Sequence, residues 1–108
     1  MRNSLKAIVA GTTFFALSCL FDHVTTFYGL LLPNVTEMNG CVLLLMGFGI
    51  WHLIESMVIM AGIGSGCLAS MSKSDPVLKL STVALMSGGL VRFSAGIQNI
   101  TIILNALT

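Results

Sequence analysis

Residues 22 to 39 read D-H-V-T-T-F-Y-G-L-L-L-P-N-V-T-E-M-N. This stretch places a carboxylate, an imidazole and two threonine hydroxyls inside an apolar run, which Pro33 then ends. An ionisable side chain within a segment long enough to cross a bilayer is costly unless it has a partner. The stretch therefore predicts a membrane-spanning helix that carries a polar site.

The composition is typical of a membrane protein. Of the 108 residues, 56% are hydrophobic and only 8% are charged, whereas a soluble domain carries about 25% charged residues. The net charge of +1 provides no basic surface for nucleic acid. We predict a single integral membrane domain over residues 1–108, with the lipid bilayer as its surroundings and no nucleic acid as a partner.

Three hydrophobic spans are predicted, at about residues 5–32, 41–70 and 77–107. The second would reach about 45 Å as one helix, which exceeds the bilayer core of about 30 Å. It must therefore tilt, extend or break, and Gly47 and Gly49 are the expected position of a break. The prediction is an all-α, polytopic membrane helical bundle, with three or four crossings left open.

Basic residues indicate the orientation. Arg2 and Lys6 precede the first span, Lys73 and Lys79 surround the second connection, and the first connection, 33–40, has none. Because cytoplasmic segments are enriched in Lys and Arg, the amino terminus is predicted to be cytoplasmic and the carboxyl terminus outside. A fourth crossing would separate the two basic clusters, which weighs against it.

The amino-terminal run is also compatible with a cleaved signal peptide. A basic start, an apolar core and the sequence Ala16-Leu17-Ser18-Cys19 are features of such a segment. Hydrophobicity resumes after His23, however, and this favours an uncleaved span.

Three charged residues are expected at similar depth, one in each span. Regular helices would place Asp22 and Glu55 about 16 to 21 Å from the outer boundary, and Arg92 about 22 Å from the inner one. Each of the three charged residues shares one face of its helix with further polar residues at helical spacing. These three polar faces are too costly to expose to lipid, so they should meet inside the bundle. The predicted intramembrane network consists of Asp22, His23, Thr25, Thr26, His52, Glu55, Arg92 and Asn99.

The role of this network has two interpretations. One arginine cannot neutralise two carboxylates, so an acid is protonated, or a histidine or cation completes the balance. That imbalance suits an ion or proton site, but hydrogen-bonded polar groups also hold membrane helices in register without chemistry. The sequence leaves both open.

No metal site, cofactor or catalytic group is predicted. His52 and Glu55 lie one helical turn apart and could bind a metal, but a single pair is a weak signal. Asp22 and His23 could complete a ligand set, but adjacent helix positions point about 100° apart and cannot easily face one ion. No nucleophile arrangement indicates an independent enzyme. Close helix packing is instead expected at four small residues: Gly62, Gly66, Gly88 and Gly89.

The chain resembles an uncharacterised family of small archaeal and bacterial membrane proteins with a D-x-x-T-T…E-x-N-P pattern. Two departures occur, since Gly40 stands where the family has proline and Glu55 where it tends to carry lysine. The resemblance implies the fold and the membrane class but no activity. It rests on Asp22, Thr25, Thr26, Gly29, Glu37 and Asn39.

The expected function is that of a small accessory subunit packed against larger membrane proteins. One concrete host would be a membrane oxidoreductase such as an archaeal ammonia-oxidising copper monooxygenase. The alternative is a homo-oligomeric ion- or proton-coupled transport protein that uses Asp22 and Glu55. The sequence does not identify a small-molecule substrate.

Overall fold

The computed structural model describes residues 3–108, and the predicted all-α class is confirmed there. Arg2, which contributed to the predicted orientation, lies outside the described residues. Four helices follow in order: α1 (Asn3–Gly29), α2 (Gly40–Gly47), α3 (Trp51–Ser70) and α4 (Asp75–Leu107).

The second hydrophobic run is broken where the glycines predicted a break. Gly49 adopts φ of 73°, a left-handed conformation that glycine reaches without steric cost. The piece before the break, α2, has 8 residues and a length of about 12 Å, too short to cross a bilayer. Three helices, α1, α3 and α4, are long and apolar enough to do so.

The helix ends agree with the sequence to within a few residues. α1 ends at Gly29, before the expected Leu32, and residues 30–34 form turns that lead through Pro33. Asn39 caps α2, where its side-chain oxygen accepts a hydrogen bond from the Cys41 backbone N–H at 2.9 Å. Ser74 precedes α4 in the capping position but makes no side-chain capping bond.

Helices α1 and α4 run parallel and form the most extensive contact in the bundle. At their beginnings the Ser4 hydroxyl donates to the Asp75 carboxylate at 2.9 Å. Near their ends Gly29 lies against Ile103. α1 also packs along α3, whereas α3 and α4 meet over a shorter length, so α1 is the central helix.

Glycines allow the close packing of the three long helices. The ring of Phe15 in α1 lies between Gly62 of α3 and Gly88 of α4. It occupies the space that a Cβ atom would need on Gly62, and it would lie 3.2 Å from a Cβ atom on Gly88. α3 is antiparallel to α1, because Gly62 faces Phe15 while Gly66, which follows Gly62 in α3, faces Thr12, which precedes Phe15 in α1. All four glycines of the predicted packing set face α1: Gly62 and Gly88 at Phe15, Gly66 at Thr12 and Gly89 at Phe14.

The protein buries few side chains and exposes a largely apolar surface. Ile8, Cys19 and Leu78 are fully buried, while most of the large apolar side chains of the long helices are exposed. A contiguous apolar surface of this extent requires lipid or other protein around it. The fold is therefore that of a membrane protein.

Candidate functional site: an ionic cluster beneath a connecting segment

Arg92 connects the three long helices. Its Nη2 donates to Glu55 Oε2 on α3 at 2.5 Å, and its Nε lies 2.7 Å from Asp22 Oδ2 on α1. The three side chains are only 13 to 22% exposed. The structure thus brings together the three charges that the sequence placed on separate spans.

The two contacts of the guanidinium differ in kind. The one to Glu55 is a charge-assisted hydrogen bond. The one to Asp22 is a contact of opposite charges, since Nε has no hydrogen-bond acceptor in suitable alignment within residues 3–108. One guanidinium faces two carboxyl groups, so the fully ionised cluster has a formal charge of −1.

Asn99 adds a second connection between α4 and α1. Its Nδ2 lies 3.1 Å from Asp22 Oδ1, 3.0 Å from Thr25 Oγ1 and 2.8 Å from Thr26 Oγ1. An amide nitrogen has two hydrogens, so it donates to two of these acceptors at a time. Both threonine hydroxyls in turn donate to backbone carbonyls of α1. The result is a polar seam beside the ionic cluster.

Substitution of Asn99 by alanine is expected to lower the stability of the bundle by about 0.6 to 1.5 kcal/mol. The loss follows from the two donated hydrogen bonds and would be measured as the change in detergent-induced unfolding, followed by helicity. Gln98→Ala is the matched control, because Gln98 is the adjacent amide on the same helix. Equal losses in the two variants would contradict the assigned role of Asn99.

The histidines form a separate pair beside the cluster. His23 Nε2 lies 2.7 Å from His52 Nδ1, so one ring donates a proton to the other. The His23 ring also lies 4.2 Å from the ring of Trp51. Neighbouring helix positions point about 100° apart, which is why Asp22 faces α4 while His23 faces α3. The predicted single network is therefore two adjoining groups.

The depth of the cluster differs from the expectation. The sequence estimate counted Glu55 from Cys41 along one unbroken helix. Because the helix begins again at Trp51, Glu55 lies only about 6 Å along α3 from its first residue. The three charges do share one level, but that level lies near the beginning of α3 and not at its middle.

A cavity of about 470 Å³ opens beside the cluster. Its walls include Asp22, Glu55, Arg92 and Asn99, and residues 35–39 of the first connection fold over it. The carboxylate of Glu37 accepts the Asn39 backbone N–H at 2.8 Å, which fixes the shape of this segment. The two halves of the family-like motif thus have different positions: Asp22, Thr25, Thr26 and Gly29 in the α1 wall, and Glu37 and Asn39 in the covering segment.

Trp51 is a site residue that sequence reasoning missed. It lines the cavity, is only 5% exposed and lies against His23, with the two ring planes tilted by 42°. A signal was available, since tryptophan is enriched where membrane helices meet the interface and this is the single tryptophan of the chain.

The residues considered as metal ligands have other partners. His52 is paired with His23, and Glu55 with Arg92. In the part of the chain that the structure describes, no three His, Cys, Asp or Glu side chains are grouped so as to hold a metal ion.

The fold and the site define a class: a small helical membrane protein with three candidate spans and an ionic cluster between them. Comparisons with known protein families, curated proteins and solved structures find no match. The resemblance to the D-x-x-T-T…E-x-N-P family remains a prediction.

Proposed function

We propose that this protein is an accessory subunit of a larger integral membrane assembly. The observation that carries the proposal is the outward face of α3. Ala61, Gly64 and Ser65 are exposed there, and the space around Gly64 is open. Small residues at this spacing allow the backbone of a second helix to approach closely. The face thus suits a helix of another subunit.

The ionic cluster supports the same proposal. Arg92 contacts both carboxylates, one on each of the other two long helices, so it links all three long helices within the chain. Such a connection holds the three helices in register. A bundle whose three helices are held in register, and whose exposed α3 face has no partner among the described residues, is suited to pack against neighbouring subunits.

Gentle detergent extraction and native mass spectrometry test this proposal. The expected result is co-purification with larger membrane subunits at fixed stoichiometry, and a membrane oxidoreductase of the ammonia-oxidising copper type is one proposed host. Gly64→Leu should reduce that co-purification because it fills the open space on α3, while the bundle stays folded. Recovery of the chain only as a monomer or as copies of itself would contradict the proposal.

A second candidate function is ion- or proton-coupled transport by a homo-oligomer. The observation that favours it is the cavity, which reaches Asp22 and Glu55 while one guanidinium serves both acids. Asp22→Asn separates the two functions. Loss of assembly would favour the structural role, whereas intact assembly with lost ion or proton flux in vesicles would favour transport.

The proposed orientation has the first connection outside and the second inside. A membrane-impermeant maleimide added to intact cells should therefore label Asn34→Cys but not Ser74→Cys, in a background with Cys41 and Cys67 replaced by serine. Both introduced cysteines occupy exposed positions. Permeabilised cells provide the control, where both should react. Labelling of Ser74→Cys alone in intact cells would reverse the orientation.

A further inference from the structure

We propose that the pair His23–His52 is a pH-sensitive contact. It holds the first turn of α3 against α1 while both rings are neutral, and it releases that turn when the pair takes up a proton. This device goes beyond the accessory role and does not depend on it. It is inferred from the hydrogen bond between the two rings, from the burial of the remaining His23 nitrogen, and from the uncapped start of α3.

The surroundings of His23 assign the proton that the two rings share. His23 Nε2 and His52 Nδ1 are 2.7 Å apart, so one of them donates and the other accepts. His23 Nδ1 is buried and has no hydrogen-bond partner within residues 3–108, and buried N–H groups without an acceptor are rare. The proton of His23 is therefore on Nε2, which donates to His52. The exposed His52 then carries its own proton on Nε2.

A further proton cannot be added without weakening this contact. If both facing nitrogens carry hydrogen, the hydrogen bond is lost and two donors oppose each other. If only one of them does, the two outer nitrogens are both protonated, and His23 Nδ1 becomes a buried N–H without an acceptor. Either arrangement costs free energy that the neutral pair does not pay. Because histidine changes charge between about pH 5 and 8, acidification in this range should open the contact between His23 and His52.

The charged groups around the pair favour the protonated, released state. They come from four elements: Asp22 of α1, Glu55 of α3, Arg92 of α4, and Glu37 of the first connection, which lines the same cavity as His23. With these four groups ionised, their formal charge is −2. His52 lies one helical turn before Glu55, so its imidazolium form is attracted by this excess of negative charge. The neutral ring is held by His23, whereas the charged ring is drawn towards the carboxylates.

The first turn of α3 is the part that can move. The helix begins at Trp51, and its capping position supplies no side-chain hydrogen bond. His52 bonds to His23, and the Trp51 ring lies 4.2 Å from the His23 ring. Glu55, in the next turn, stays bonded to Arg92. Loss of the histidine bond should therefore release the turn and open the cavity on its α3 side, while the bundle stays assembled.

Quenching of Trp51 fluorescence by acrylamide tests the device in the full-length protein, in phosphatidylcholine nanodiscs. Trp51 is the single tryptophan of the chain and is only 5% exposed, so a neutral quencher reaches it mainly when the turn is released. From pH 8 to pH 5 the quenching rate constant should rise about three- to tenfold, the equivalent of one lost hydrogen bond. Division by the fluorescence lifetime removes direct quenching by the protonated imidazole. Helicity should stay the same.

Two variants should lose this pH response. In His52→Asn the amide oxygen can accept the His23 Nε2–H but does not titrate, so quenching should stay low at both pH values. In His23→Gln the amide can donate to neutral His52 or accept from protonated His52, so the rise should again be absent. Glu37→Gln is the control, because it removes another titratable group of the cavity and keeps an oxygen to accept the Asn39 N–H. It should retain the full rise.

Three results would overturn the proposal. The first is equal quenching of the wild-type protein at pH 8 and pH 5. The second is the same rise in His52→Asn as in the wild-type protein, or a rise that Glu37→Gln abolishes, since either would assign the titration to another group. The third is a loss of helicity that accompanies the rise, since this would show general unfolding instead of release of one turn.

Discussion

Replacement of Arg92 by methionine is expected to destabilise the folded bundle by about 3 to 5 kcal/mol. Methionine preserves much of the length and packing of the side chain but leaves Asp22 and Glu55 without their shared cation. Two carboxyl groups that face one site then repel or must be protonated. Unfolding by increasing sodium dodecyl sulfate in mixed micelles, followed by helicity, measures the loss.

Two comparisons make the Arg92 result specific. Lys79→Met removes a basic residue from an exposed position earlier on α4 and should cost little. Adding Asp22→Asn and Glu55→Gln to Arg92→Met should restore much of the lost stability, because neutral amides can hydrogen-bond to each other. The proposed charge compensation would be rejected if the triple variant were less stable than Arg92→Met alone.

Gly62→Val is expected to cost about 1 to 3 kcal/mol more than Gly64→Val. The two glycines are two positions apart on α3, so the change in helix propensity is the same. A Cβ at Gly62 would overlap the Phe15 ring, and that ring cannot retreat freely because Gly88 lies on its other side. At Gly64 no atom beyond its chain neighbours and the backbone of its own helix lies within 4 Å of the added carbon.

The same unfolding measurement checks this pair of variants. Phe15→Ala should partly rescue Gly62→Val, because it removes the ring that the valine would displace. It should not improve Gly64→Val. If the two valine variants lost equal stability, the close contact of α1 with α3 would be contradicted.

Much of the fold could be predicted because the hydrophobic pattern is simple. Pro33 and the polar stretch before Pro76 separate long apolar runs. Each run is long enough, as a helix, to cross the bilayer core, so the runs predict the membrane spans. The second run, residues 41–70, would exceed the bilayer core as one helix, so a break was expected. Gly47 and Gly49 indicated its position. The cost of a lone charge in hydrocarbon predicted that Asp22, Glu55 and Arg92 seek partners, and the structure places them in contact.

The details of the site depended on information that spacing does not contain. The break before Trp51 shifts the start of α3, so the depth of Glu55 could not be read from a count of residues. His23 faces α3 because of the rotation of α1 about its own axis. Periodicity shows which residues share a face of α1, but it does not show whether α3 or α4 packs against that face. The fold of residues 35–39 over the cavity is set by short-range hydrogen bonds, such as the one between Glu37 and Asn39, which have no periodic signature.

The position of the guanidinium on the last helix affects how the chain is made. Ribosomes synthesise from the amino end, so Asp22 and Glu55 reach the insertion machinery before Arg92, which follows Glu55 by 37 residues. An uncompensated carboxylate costs about 3 kcal/mol at the centre of the hydrocarbon core and less near its edge, where the first turns of α3 place Glu55. The first two spans therefore gain their full stability in lipid only when the third arrives, and a nascent chain truncated before Arg92 should be less stable in the membrane than one that includes it.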